Sequence, residues 1–175
     1  MRIGRLSEDA ASVLRQEPVT CPVVLPSRAP DGYAPIACSA PLRGTSLETA
    51  AADLLAWRMH ARSGLRVRAS DVPLREGTVV VLRLGLGPIS FSAPCRVLEL
   101  IHEPTRRGFV YGTLPGHPES GVERFVVSRP DDHQATLQID GYSRPHSWAA
   151  RIAPKLTGAV QARITRKYLR ALDRR

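Results

Sequence analysis

At 175 residues, 43% hydrophobic and 23% charged, the chain has the make-up of one globular domain rather than a disordered one. No run approaches the roughly 18 apolar residues of a membrane-spanning helix, and residues 1–14 lack the apolar stretch of a secretory signal, so a cytoplasmic protein is expected. The net charge of +9 is uneven: residues 151–175 carry +7 and residues 1–150 only +2. A basic terminal segment suits either a phosphate-bearing partner or the solvated face of a helix.

Residues 1–44 read as an irregular N-terminal region. Ser7–Gln16 fits a short helix with Ala10, Leu14 and Val13 toward the interior. Five prolines lie between Val19 and Leu42 (Pro22, Pro26, Pro30, Pro35 and Pro41), too many for a central strand or helix. Short extended pieces at Cys21–Val24 and Tyr33–Cys38 around an Asp31-Gly32 turn are expected instead. Thr45–Gly64 has the periodicity of one helix. Leu47, Ala50, Leu54, Trp57 and Ala61 form a single apolar stripe, with Thr45 and Glu48 as a capping box and Gly64 as the terminator.

Residues 65–144 read as an antiparallel sheet. The β-rich runs are Thr78–Leu84, Ile89–Phe91, Pro94–His102, Gly108–Leu114, Val122–Ser128 and Ala135–Tyr142, divided by turn signals such as Gly87-Pro88, Gly116-His117-Pro118 and Pro130-Asp131-Asp132. Several carry bulky groups on both faces, which suits a curved sheet with a filled concave side. Residues 146–175 return to helix: a lead-in at Ser147–Ile152, then Lys155–Leu172 with Leu156, Val160, Ile164, Tyr168 and Leu172 spaced i, i+4. The expected fold is therefore α+β, a single domain in which six to seven antiparallel strands grip a long C-terminal helix. That order resembles the helix-grip architecture of START-like and birch-pollen-allergen-like proteins, in which a cavity between sheet and helix commonly holds an apolar ligand.

A closer likeness rests on five segments: Gly108–Gly121, Ala52–His60, Val160–Arg170, Cys95-Arg96-Val97 and Tyr142–Pro145. Together they resemble the domain of unknown function 1990 family of actinobacteria and plants, from about Gly32 to the C-terminus. The resemblance implies a cytosolic bacterial protein in the START-like superfamily. The family pattern carries two acids after the last glycine, whereas this chain reads Gly121-Val122-Glu123-Arg124, with one.

The densest candidate chemistry lies in Tyr111–Glu123, where glycines and prolines would fix Tyr111, Thr113, His117, Glu119 and Glu123 about a hairpin. His117 beside Glu119 or Glu123 suits general acid–base work, or a turn held by hydrogen bonds. Trp57 falls in the apolar helix stripe; Arg58 and His60 fall off it, at a cavity entrance or in solvent. Tyr142 and Arg144 end the last strand. Arg144 suits a carboxylate or phosphate head group, or a pairing with Glu99 or Asp140. Cys21, Cys38 and Cys95 form no CxxC pair and no zinc-ligand spacing, so reduced thiols are expected, with neither metal nor cofactor.

Two functional readings follow. One is a module binding a small apolar or amphipathic molecule, with Trp57, Arg58, Tyr111, Thr113, Tyr142 and Arg144 around it. The other is a START-like cyclase, dehydratase or hydrolase using His117 with Glu119 or Glu123. A lesser alternative is docking of an anionic surface or nucleic acid on the basic C-terminal helix.

Overall fold

The computed structural model describes residues 3–22, 29–86, 89–129, 134–146 and 164–174. The N-terminal region is more regular than its proline content implies. It contains β1 (Ile3–Arg5), α1 (Glu8–Gln16) and β2 (Ala34–Pro41). The Ser7 side chain accepts a hydrogen bond from the Ala10 N–H and caps α1, a contact worth about 1 kcal/mol. Ala11 is the buried residue of this helix, while Val13 points to solvent and Ala10 and Leu14 are half-buried. Pro35 and Pro41 are tolerated within β2 because it is an edge strand with a neighbour on one side only. The expected Cys21–Val24 piece lies partly outside the described residues.

The predicted helix over Thr45–Gly64 is broken in two, α2 (Leu47–Leu55) and α3 (Arg58–Arg62). Ser46 rather than Thr45 caps α2, accepting from the Thr49 N–H at 3.2 Å; the Thr45 hydroxyl donates to the Ser46 carbonyl instead. The break is at Trp57, which adopts a left-handed backbone conformation with φ of 61°. This turn keeps Leu47, Ala50, Leu54, Trp57 and Ala61 all inside but resets the helical phase, so that His60 is carried inward with them. A continuous helix would have left His60 off the stripe.

The sheet has eight strands where six to seven were expected: β3 (Arg66–Ala69), β4 (Val79–Leu86), β5 (Ile89–His102), β6 (Arg106–Thr113), β7 (Glu119–Ser128) and β8 (Thr136–Pro145) join β1 and β2 in the order β1-β3-β4-β5-β6-β7-β8-β2. All pairings are antiparallel except β1 with β3, which is parallel. The two expected runs Ile89–Phe91 and Pro94–His102 are one strand. A bulge between Val97 and Glu99 bends β5. Further bending comes where β7 and β8 approach too closely for a side chain. A Cβ on Gly121 would sit 2.2 Å from the Tyr142 carbonyl oxygen, and one on Gly141 2.0 Å from that of Val122.

The concave face carries the core. Val80, Leu82, Cys95, Val97, Phe109, Phe125, Val127, Leu137 and Ile139 meet Leu54, Trp57 and Met59 from α2, α3 and the turn between them. The helical residues 164–171 close this face with buried Tyr168, half-buried Ile164 and, just beyond, buried Leu172. They match the C-terminal half of the predicted stripe; Leu156, Val160 and the Ser147–Ile152 lead-in lie outside the described residues. On the convex face Cys21, Val110, Val122 and Tyr142 form a smaller cluster under the N-terminal segment.

Candidate functional site

Strand register places the polar residues of the concave face at one end of the apolar core. Tyr111 of β6 lies directly across from Glu123 of β7, and Glu123 in turn lies opposite Gly141 of β8. Along β7, Glu119, Gly121, Glu123 and Phe125 share one face because side chains alternate. The chain thus passes within a few residues from aromatic core to two carboxyl groups. The Tyr111 hydroxyl donates to Glu123 Oε2 at 2.7 Å. With Thr113, His117, Glu119, Gly121, Tyr142 and Ser143, this pair lines a cavity of about 20 Å³, room for about one water molecule.

Burial changes the proton affinities here. Desolvation raises the Glu123 carboxyl to about 7, with the Glu119 charge adding to the rise and the Tyr111 hydrogen bond opposing it. Burial also raises Glu119, against a hydrogen bond from Ser143. The Tyr111 phenol is pushed well above its ordinary value by burial and by the carboxylate beside it. Perturbed carboxyls converging in one cavity single this place out as the candidate site.

His117 lines the same cavity and is built into the β6–β7 turn. The Glu119 N–H donates to its Nδ1 at 2.9 Å, with the Glu119 carbonyl oxygen at the same distance, while the His117 backbone N–H donates to the Leu114 carbonyl. Burial lowers its imidazole to about 4, so it holds the β6–β7 turn as a neutral ring. Thr113 locks the same hairpin: the Gly121 N–H donates to its hydroxyl at 3.0 Å, and the Thr20 hydroxyl lies 2.6 Å away.

The other residues singled out by sequence are scattered. Trp57 is fully buried, its indole N–H donating to the Asp71 carbonyl at 3.3 Å. Arg58 turns to Asp53 at 2.6 Å. Tyr142 borders the cavity, but its hydroxyl donates to the Pro22 carbonyl on the convex side. Arg144 stacks over the Tyr33 ring at 4.5 Å, and Asp140 is paired with Arg124 rather than with Arg144.

His60 is the residue that sequence reasoning misplaced. It is fully buried among Trp57, Phe109, Tyr111, Phe125 and Tyr168, with ring centroids 5.1 to 6.3 Å away. Neither of its ring nitrogens has a hydrogen-bond partner among the described residues. Desolvation lowers its imidazole to about 3, so it is neutral. Only the left-handed Trp57 would have revealed its position, and no helical periodicity signals that.

Cys21 and Cys95 are buried, Cys38 is half-buried, and all three are free thiols. Among the described residues, no group of three or more His, Cys, Asp or Glu could hold a metal, and no helix is long and apolar enough to cross a membrane.

A curved antiparallel sheet closed by a C-terminal helix defines the helix-grip class of fold, shared with solved structures such as Ara h 8.0201, which superposes with a TM-score of 0.51 at 8% identity. Within that class the chain belongs to the family described as domain of unknown function (DUF1990), whose pattern matches residues 20–171. A UPF0548 protein of Deinococcus radiodurans is 44% identical over 114 residues, 60% of this chain; the match spans 58% of that relative's length. Among solved structures, a hypothetical protein from Helicobacter pylori superposes with a TM-score of 0.59 at 9% identity, covering 79% of this chain and 85% of that one. Major latex-like protein 151 of Panax ginseng superposes at 0.52 with 12% identity, covering 77% and 94%.

Proposed function

We propose that the chain binds a small amphipathic molecule whose polar group sits at the Tyr111–Glu123 pair. The observation that carries this reading is a hydrogen-bonded phenol and carboxyl facing a small cavity at the end of an apolar concave face. Pockets for small molecules combine apolar walls with a few convergent polar groups. The cavity of about 20 Å³ is a seat for a head group and not room for a whole ligand. A carboxyl with a pKa near 7 is suited to such a seat, because it offers a donor when protonated and an acceptor when not.

Comparing the mass of the purified chain under native and denaturing conditions tests this. A stoichiometric mass that is lost on denaturation, and retained less by Tyr111→Phe and Glu123→Gln, is the expected result. The reading fails if a panel of amphipathic compounds yields no binding that depends on these two side chains.

The Glu123 pKa also favours a second reading, an enzyme in which Glu123 rather than His117 moves the proton. Turnover would then show an inflection near pH 7 that Glu123→Gln removes, while His117→Gln leaves it in place.

A further inference from the structure

We propose that Arg58, Arg62 and Arg174 form a second site, away from the cavity, that binds a phosphate-type dianion. Asp53 of α2 is 2% exposed and gathers all three guanidinium groups. Arg58 Nη1 lies 2.6 Å from Oδ1, while Arg62 Nη1 and Arg174 Nη2 lie 2.7 and 3.3 Å from Oδ2. A buried carboxylate needs one counter-charge and a donor on each oxygen. Arg58 and Arg62 already supply both. The third guanidinium leaves the cluster at +2 and crowds two like charges onto one oxygen. A dianion closes that imbalance.

The arrangement is also suitably oriented. Arg58 and Arg62 are four residues apart on α3 and so leave the same face of the helix. Arg174 arrives from the C-terminal end, fixed by its N–H donating to the Arg43 carbonyl at 2.8 Å, while the Arg43 N–H donates to Asp173 at 3.0 Å. The two segments touch closely: a Cβ on Gly44 would lie 2.4 Å from the Arg174 carbonyl oxygen. Asp53 holds each guanidinium by a single Nη, Arg62 Nη1 also donates to the Ala171 carbonyl at 3.2 Å, and the three side chains are 32% to 48% exposed, so their other N–H groups remain for an oxyanion. Pre-oriented planar forks are what bidentate phosphate recognition requires. Exposed Lys167 adds charge beside the end of α3, its Nζ 3.6 Å from where a Cβ on Gly64 would sit.

The test is an NMR titration of the arginine side-chain N–H resonances, replacing chloride by inorganic phosphate at constant ionic strength. Phosphate-specific shifts confined to Arg58, Arg62 and Arg174 are expected, with affinity falling about tenfold or more in Arg174→Gln. That variant leaves Asp53 satisfied by the other two arginines, and its folding is checked by the unchanged backbone spectrum. A parallel sedimentation compares phosphatidylcholine vesicles with and without phosphatidic acid. Binding to free phosphate alone assigns a soluble ligand; binding to phosphatidic acid vesicles, lost in Arg174→Gln, assigns a lipid head group. Equal responses to chloride and phosphate, or wild-type binding by Arg174→Gln in both arms, overturn the proposal.

Discussion

Replacing Glu123 with Gln separates what its proton does for the fold from what its shape does. In the folded chain the carboxyl keeps its proton up to about pH 7, against an ordinary value of 4.5. The folded state therefore binds more protons than the unfolded one between those values, and stability falls as pH rises through that window. At about 1.4 kcal/mol for each tenfold difference in proton affinity, the full effect is about 3 kcal/mol, an upper bound because Glu123 retains some solvent contact. Glutamine preserves the acceptor for the Tyr111 hydroxyl and cannot ionise. Urea unfolding of both proteins at about pH 4 and about pH 9 should then show a relative gain for the variant of up to about 3 kcal/mol at the higher pH. A difference that does not change with pH would refute the placement of Glu123 in a desolvated seat.

Three further outcomes follow from the packing. His60→Phe should remove an acid-side loss of stability: the neutral imidazole stabilises fully above about pH 6.5, and up to about 5 kcal/mol is lost as pH falls toward 3, measurable by denaturant titration across that range. Asp53→Asn should cost about 3–5 kcal/mol, because three guanidiniums lose their carboxylate; a drop in melting temperature much smaller than that of a core truncation would contradict this. Phe125→Ala should cost about 3–5 kcal/mol in the same assay, since its ring touches Phe109, Tyr111, His60 and Tyr168.

The apolar stripe of α2 and α3, the β-runs and the described end of the last helix were legible because burial imposes period 3.6 or 2 on the residues. The edge strands were legible only in part. The Tyr33–Cys38 piece of β2 was expected as extended chain, but that β1 and β2 join the sheet depends on partners at positions 67–69 and 136–143 that local pattern does not reveal. The candidate site was half legible. Tyr111, Glu119 and Glu123 could be gathered from their spacing, but not the hydrogen bond from the Glu119 backbone that ties His117 into the turn. Arg58 was assigned to a cavity or to solvent because Asp53, five residues earlier, reads as an ordinary surface acid until α2 and α3 pack it inside.

The chain carries +9, yet two of its histidines lie buried under the concave face and the β6–β7 turn. His60 and His117 are both neutral there, held far below their ordinary range by burial. Glu123 is raised by burial to about 7, so its charge responds to pH there. If a ligand sits against the Tyr111–Glu123 pair, its affinity should depend on pH through that one carboxyl. A ligand that accepts a proton-bearing contact binds best below pH 7, and one that donates binds best above it. Measuring affinity on either side of pH 7 in the wild type and in Glu123→Gln therefore identifies the polarity of the head group before the molecule itself is known. Identical pH profiles in the two proteins would remove Glu123 from the binding site.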